Sequence, residues 1–177
     1  MLINFEPVSF AQAQKDFNWE IHPLFEGTNL EKQWMEFWHK NLDPCRSTFG
    51  AAGYDLFSPF AFSLKPGEEI TIPTGTRVLI DNGLDVGLFI FPRSGAGFKC
   101  YTRLANTVGV IDKDYSQSKN EGHIFVKIRN ESTEKEWVVK QGDAIAQGVF
   151  LNYYLTDRDA EQNKAQRDGG LGSTTAK

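Results

Sequence analysis

The chain has 177 residues, 40% of them hydrophobic and 24% charged, which fits one globular domain with a sizeable core. A net charge of −4 argues against a nucleic-acid scaffold, and no apolar stretch reaches the ~20 residues that a membrane span needs. Cys45 and Cys100 show neither zinc spacing nor a disulfide framework, and MLINFEPVSF lacks the basic-then-apolar pattern of a signal peptide. The expected setting is therefore cytoplasmic, in a cell or an infected host cell, without secretion, membrane or nucleic acid.

In chain order, LINFEPV reads as a short strand. NLEKQWMEFWHKNL (29–42) carries Leu30, Trp34, Phe37, Trp38 and Leu42 near helical spacing, so it predicts an amphipathic helix that Asp43-Pro44 ends. Residues 45 to about 152 predict an all-β region. Runs rich in Val, Ile and Phe recur at 70–75, 76–80, 86–91, 123–130, 136–143 and 144–155. The turn candidates between them are KPGEE, DNG and KQGD. This spacing suits a barrel or sandwich rather than βαβ units. Residues 156–177 are polar and cannot build a core.

Four stretches carry residue types suited to chemistry. In AAGYDLFS, Asp55 follows a small flexible stretch and precedes a strand. In PRSGAGFK, Arg93 offers a planar fork of donors, Ser94 a hydroxyl, and Gly95 and Gly97 close backbone approach, as an anion site requires. A surface turn with a solvated arginine has the same composition. In NTVGVIDKDYSQ, residues 106–111 read as an apolar hairpin with Asp112 at its edge. There Asp112 is either a general base for a water or the aspartate of a turn, and Tyr115 either packs on a sugar or fills the core. In GDAIAQ, Asp143 lies in a turn and Gln147 on the next strand. The terminal RDGGLGST adds an arginine, glycines and hydroxyls of the kind a phosphate flap would need.

The order AGYDL, PRSG, GVIDKDY, GDAIAQ and RDGGLGST resembles the five ordered motifs of the homotrimeric dUTPase family, over about residues 46–177. The resemblance implies an all-β, jelly-roll-like β-barrel over residues 1–155, with a partly helical insertion at about 10–43, and a C-terminal arm at 156–177. It implies hydrolysis of dUTP to dUMP and pyrophosphate, which limits uracil incorporation into DNA and supplies dUMP, at sites between the subunits of a homotrimer. Asp112 would activate the water that attacks the α-phosphorus. Arg93, Ser94, Gly95 and Gln147 would hold phosphates, and Asn106, Gly109, Val110 and Ile111 would line the uracil pocket. Tyr115 would pack on deoxyribose, and Asp55 would organise the site. Arg167, Leu171, Gly172, Ser173 and Thr174 would close with the arm, the first and last two of these on the γ-phosphate. Mg2+ would be held by the phosphates and water, with no direct protein ligand.

Four features depart from the family pattern. Leu171 stands where the arm normally carries an aromatic residue, and Ala144 where an arginine is usual. SQSKNE intervenes between Tyr115 and Gly122, and about thirty residues, with Trp19, Trp34 and Trp38, precede Pro44. The aromatic segment is read as a helix packed on its own barrel, with a docking surface for a protein partner as the sharper reading. Two other functions fit the fold: a dCTP deaminase or bifunctional relative, and a nucleotide-responsive regulatory protein. Ammonia release, or capture of a partner through residues 10–43 with negligible turnover, would select them.

Overall fold

A computed structural model describes residues 3–17, 25–159 and 169. Among these residues eleven strands and three α-helices follow one another, with one 3-10 turn at Tyr115–Gln117: β1 (Ile3–Pro7), α1 (Phe10–Asp16), α2 (Leu30–Asn41), β2 (Tyr54–Phe57), β3 (Phe62–Leu64), β4 (Glu69–Pro73), β5 (Thr76–Ile80), β6 (Val86–Pro92), α3 (Ser94–Cys100), β7 (Thr102–Leu104), β8 (Gly109–Ile111), β9 (Phe125–Asn130), β10 (Trp137–Val139) and β11 (Ala144–Asn152). Every paired strand is antiparallel. Among the described residues the ladders form four sheets, with orders β1-β5, β3-β10, β2-β11-β6-β8 and β4-β9-β7, rather than one closed ring. The class is all-β and jelly-roll-like, as expected from the sequence.

Alternation places the core. In β5, Thr76, Val78 and Ile80 point inward, and in β9, Val126, Ile128 and Asn130 do so while Lys127 and Arg129 face out. Val78, Ile80, Val126 and Ile128 join Leu56, Ile72, Leu88, Ile124 and Ile145 in the main core.

A second core lies beside it, built from Val8, Ala13, Phe17, Phe25, Trp34, Trp38 and Leu42. Phe5 and Phe60 pack against both. The predicted helix is thus present as α2, and its stripe of Trp34, Trp38 and Leu42 is buried within its own chain. Trp34 Nε1 donates to the Val8 carbonyl (2.7 Å), and Trp38 Nε1 to Thr76 Oγ1 (3.0 Å). A buried indole needs such a partner, so the two bonds fix where α2 sits on the β4–β5 turn. Trp19 lies outside the described residues.

Four local expectations change. FAQAQKD forms α1, capped by Ser9, whose Oγ accepts the Gln12 N–H (3.1 Å); seven residues are too few to show a helical period. Asp55 lies inside β2 rather than before a strand. The glycine-containing stretch after Arg93 is helical, because Ala96 and Cys100, four residues apart, pack together against the core. Residues 106–111 are not a hairpin: β7 pairs with β9 and β8 with β6, so the turn between them crosses from one sheet to another.

Gly75, in the β4–β5 turn, lies against Trp34 and Leu42 of the second core. Its φ is +74°, and a Cβ there would lie 2.7 Å from the Trp34 ring. Gly75→Ala should therefore destabilise the fold by roughly 2 kcal/mol or more in urea unfolding, through backbone strain and the displaced indole.

Candidate active site

Strand β6 positions the candidate site, with β8 on one edge and β11 on the other. Toward β8, Ile90 is opposite Gly109 and Leu88 opposite Ile111. Toward β11, Phe91 is opposite Gln147, which in turn faces Asp55 on β2.

On the β8 side lies a cavity of roughly 200 Å³, lined by Asn106, Gly109, Val110, Ile111 and Tyr115 over an apolar base that includes Ile90 and Leu104. A Cβ at Gly109 would come within 3.2 Å of the Ile90 Cβ, so a larger residue there would crowd the cavity. Thr107 has φ +65°, and the turn is closed by Thr107 N–H to Leu104 O (3.1 Å) and Val108 N–H to Asn106 O (2.7 Å). The cavity is on the scale of one small ring, and Gly109 is the one lining residue without a side chain.

Tyr115 lines the cavity and is also buried. Its hydroxyl donates to the His123 carbonyl (3.0 Å) and accepts from Asn120 Nδ2 (3.0 Å). Asp112 follows Ile111 directly and is exposed. Its carbonyl accepts the Tyr115 N–H (3.0 Å), so the backbone here is also a turn.

Lys113, which sequence reasoning passed over, pins this segment. Its Nζ lies 3.3 Å from the carbonyls of Asn82 and Leu84 and from Asp85 Oδ1. Partial burial opposes its charge, but contacts with Tyr153 and Asp85 outweigh that and hold the ammonium above the usual lysine value. No signal in GVIDKDY marks this lysine, because its partners come from another turn.

The second cluster lies on the β11 side. Arg93 Nε pairs with Asp55 Oδ1 at 2.9 Å, and Arg93 Nη1 reaches the carbonyl of Ala144 (3.5 Å). The arginine is thus held rather than merely solvated. Gln147 Nε2 donates to the Pro92 carbonyl (3.1 Å), while Ser94 and Gly95 are exposed at the start of α3. An arginine fork, a hydroxyl and first-turn N–H groups together make a surface suited to an anion.

The fold does not bring the two clusters together within one chain. Asp112 continues β8 past the Leu88–Ile111 pair and so falls near Gly87, whereas Arg93 follows Pro92 in an extended conformation. Six extended residues separate those levels by ~20 Å. Arg167, Leu171, Gly172, Ser173 and Thr174 lie outside the described residues. Among the described residues no group of three His, Cys, Asp or Glu side chains is placed to hold a metal, both cysteines are free, and no helix is long and apolar enough to cross a membrane.

The antiparallel all-β fold thus carries a ring-sized cavity beside β8 and a separate polar surface around Arg93. The sequence model of the dUTPase family matches residues 40–175. The deoxyuridine 5'-triphosphate nucleotidohydrolase of Lactococcus lactis is 43% identical over 134 residues, covering 75% of this chain and 87% of that protein. The structure of the dUTPase from Streptococcus mutans has a TM-score of 0.63 at 30% identity, covering 87% of this chain and 98% of that one. The dUTPase of phage phi11 of S. aureus, in a mutant structure described as revealing coordination of a structural Mg(II) ion, shares the fold at TM-score 0.53 and 20% identity, covering 70% of this chain and 89% of that one. The chain belongs to the dUTPase family.

Lys113→Met should raise amide hydrogen exchange at Leu84 and Tyr115 together, since the side chain bridges those two segments. Global stability should fall by less than about 1 kcal/mol, as its ion pair is partly solvent-screened.

Proposed function

We propose that the cavity beside β8 receives uracil and that Asp112 activates the water in the hydrolysis of dUTP to dUMP and pyrophosphate. The observation that carries this reading is the direct succession, from Gly109 to Asp112, of a ring-sized cavity lined by Gly109, Val110 and Ile111 and an exposed carboxylate. Main-chain donors and acceptors at Gly109, Val110 and Ile111, with the Asn106 amide, match the edge of uracil. Cytosine presents the reverse pattern, which leaves buried polar groups mismatched and is costly. Tyr115 packs on deoxyribose and leaves no room for a 2′-hydroxyl. Asp112 takes a proton from the water as it attacks the α-phosphorus.

Arg93, Ser94, Gly95 and Gln147 hold the phosphates, and Asp55 orients Arg93. The ~20 Å between Asp112 and Arg93 along β6 supports a site formed between copies of the chain, and we assign a homotrimer. Residues 156–177 act as the arm that closes each site, with Arg167, Ser173 and Thr174 on the γ-phosphate and Leu171 and Gly172 against the nucleotide. Mg2+ suits a donor set made of phosphate oxygens and water, since Asp55 is already engaged by Arg93. When bound, it neutralises triphosphate charge. The rest of the mechanism is positioning by this chain's own groups.

The dCTP deaminase and regulatory readings are less well supported. The chain's relatives carry the hydrolase name, and Trp34 and Trp38 are consumed in an internal core instead of being offered to a partner.

A pyrophosphate-release assay should show turnover of dUTP well above that of dTTP, dCTP and UTP. Asp112→Asn should lower kcat by at least about a hundredfold, while dUTP binding, measured by calorimetry, stays within about threefold. Wild-type turnover in that variant would remove Asp112 from the mechanism, and ammonia release from dCTP would favour the deaminase.

A further inference from the structure

The two segments that depart from the family pattern, the N-terminal insertion and the loop after Tyr115, meet each other. At the start of α1, Ser9 Oγ donates to Glu121 Oε1 (2.7 Å), and the Ser9 N–H donates to Glu121 Oε2 (2.8 Å). A helix with its own capping box receives this return contact from a Glu or Gln three residues after the cap. Here that residue is Gln12, and its amide donates to Asp16 instead. Glu121, 112 positions away in sequence, completes the box from the loop. It does so with φ +59°, a left-handed conformation that a glutamate rarely adopts unaided.

At the other end of α1, Asp16 Oδ2 lies 2.7 Å from His123 Nδ1. His123 Nε2 accepts the Gly75 N–H (2.8 Å), which places the ring proton on Nδ1, facing Asp16. His123 is fully buried, with Phe17 stacked at 5.8 Å and Phe125 tilted at 4.7 Å. Burial of the Asp16 carboxyl opposes ionisation, but the hydrogen bonds from His123 and Gln12 outweigh that and hold it below its ordinary value. Between the two anchors, Gly122 has φ +76°, and a Cβ there would lie 2.6 Å from Ser116 Cα. The loop is therefore gripped at 121 and 123 and closed tightly onto the residue after Tyr115. The Tyr115 hydroxyl is held from the same stretch, by Asn120 Nδ2 and the His123 carbonyl.

We propose that α1 is a positioning element for Tyr115: through Ser9–Glu121 and Asp16–His123 it fixes the loop that sets the ring wall of the cavity, and so sharpens the enzyme's preference for deoxyribose over ribose. Asn120, Glu121 and His123 are positioning residues in this scheme and touch no substrate. The inference rests on the reading that Tyr115 faces the sugar.

The test compares kcat/KM for dUTP and UTP in the full-length enzyme and in Asn120→Ala, Glu121→Gly and the pair Ser9→Ala and Ser9→Thr. Glu121→Gly relaxes the left-handed backbone while it removes the carboxylate, so it frees the loop without adding strain. Asn120→Ala and Glu121→Gly should each lower the dUTP/UTP ratio about fivefold, with a larger change in KM than in kcat. Ser9→Ala should move the ratio in the same direction, and Ser9→Thr, which keeps the hydroxyl, should restore it. A discriminating wild type whose ratio survives in folded Asn120→Ala and Glu121→Gly would overturn this inference alone. A wild type that turns over UTP as well as dUTP would overturn the placement of Tyr115 and this inference with it.

Discussion

Strand β6 hydrogen-bonds along both edges, and the arrangement of the site depends on that double pairing. One edge holds β8 in the register that sets Gly109 against Ile90 and delivers Asp112 just past Ile111. The other holds β11, which presents Gln147, and through it β2, which presents Asp55 to Arg93. Because β8 runs antiparallel to β6, Asp112 emerges near one end of the strand and Arg93 leaves at the other. The antiparallel ladder thus separates the two residues within a chain, and in the proposed enzyme symmetry between identical chains reunites them.

Around this strand the N-terminal insertion behaves as structure. It builds a second aromatic core on the β4–β5 turn, with Trp34 and Trp38 each satisfied by a specific acceptor. It then reaches the loop beside the cavity through both ends of α1. One surface of the insertion therefore stabilises the β body, and another grips the loop that holds the Tyr115 hydroxyl.

Much of the fold was legible in the sequence because its signals are local. The spacing of Trp34, Trp38 and Leu42 located α2, the Val/Ile/Phe-rich runs at 76–80 and 123–130 located β5 and β9, and Gly and Asp turns bounded them. The candidate site residues were legible from the order of short motifs, which placed Asp112 beside an apolar wall and Arg93 at a strand end. What was not legible depends on long-range contacts. The helix at 94–100 is supported by the core under Ala96 and Cys100, against the poor propensity of its glycines. The crossover at 105–108 depends on which sheets β7 and β8 join. The grip of Lys113 on the 82–85 turn, and of Ser9 on Glu121, joins residues whose sequences carry no mutual signal. The distance between Asp112 and Arg93 emerges only from strand register.

That distance yields the most direct test of the account. Asp112→Asn and Arg93→Ala chains, each inactive alone, can be unfolded together and refolded as a mixture. If each site takes Asp112 from one chain and Arg93 from a neighbour, random assembly makes intact sites, and dUTP turnover should return to roughly a quarter of the wild-type rate. If every site uses both residues from a single chain, no mixed assembly contains an intact site. A mixture as inactive as its two components would contradict the account.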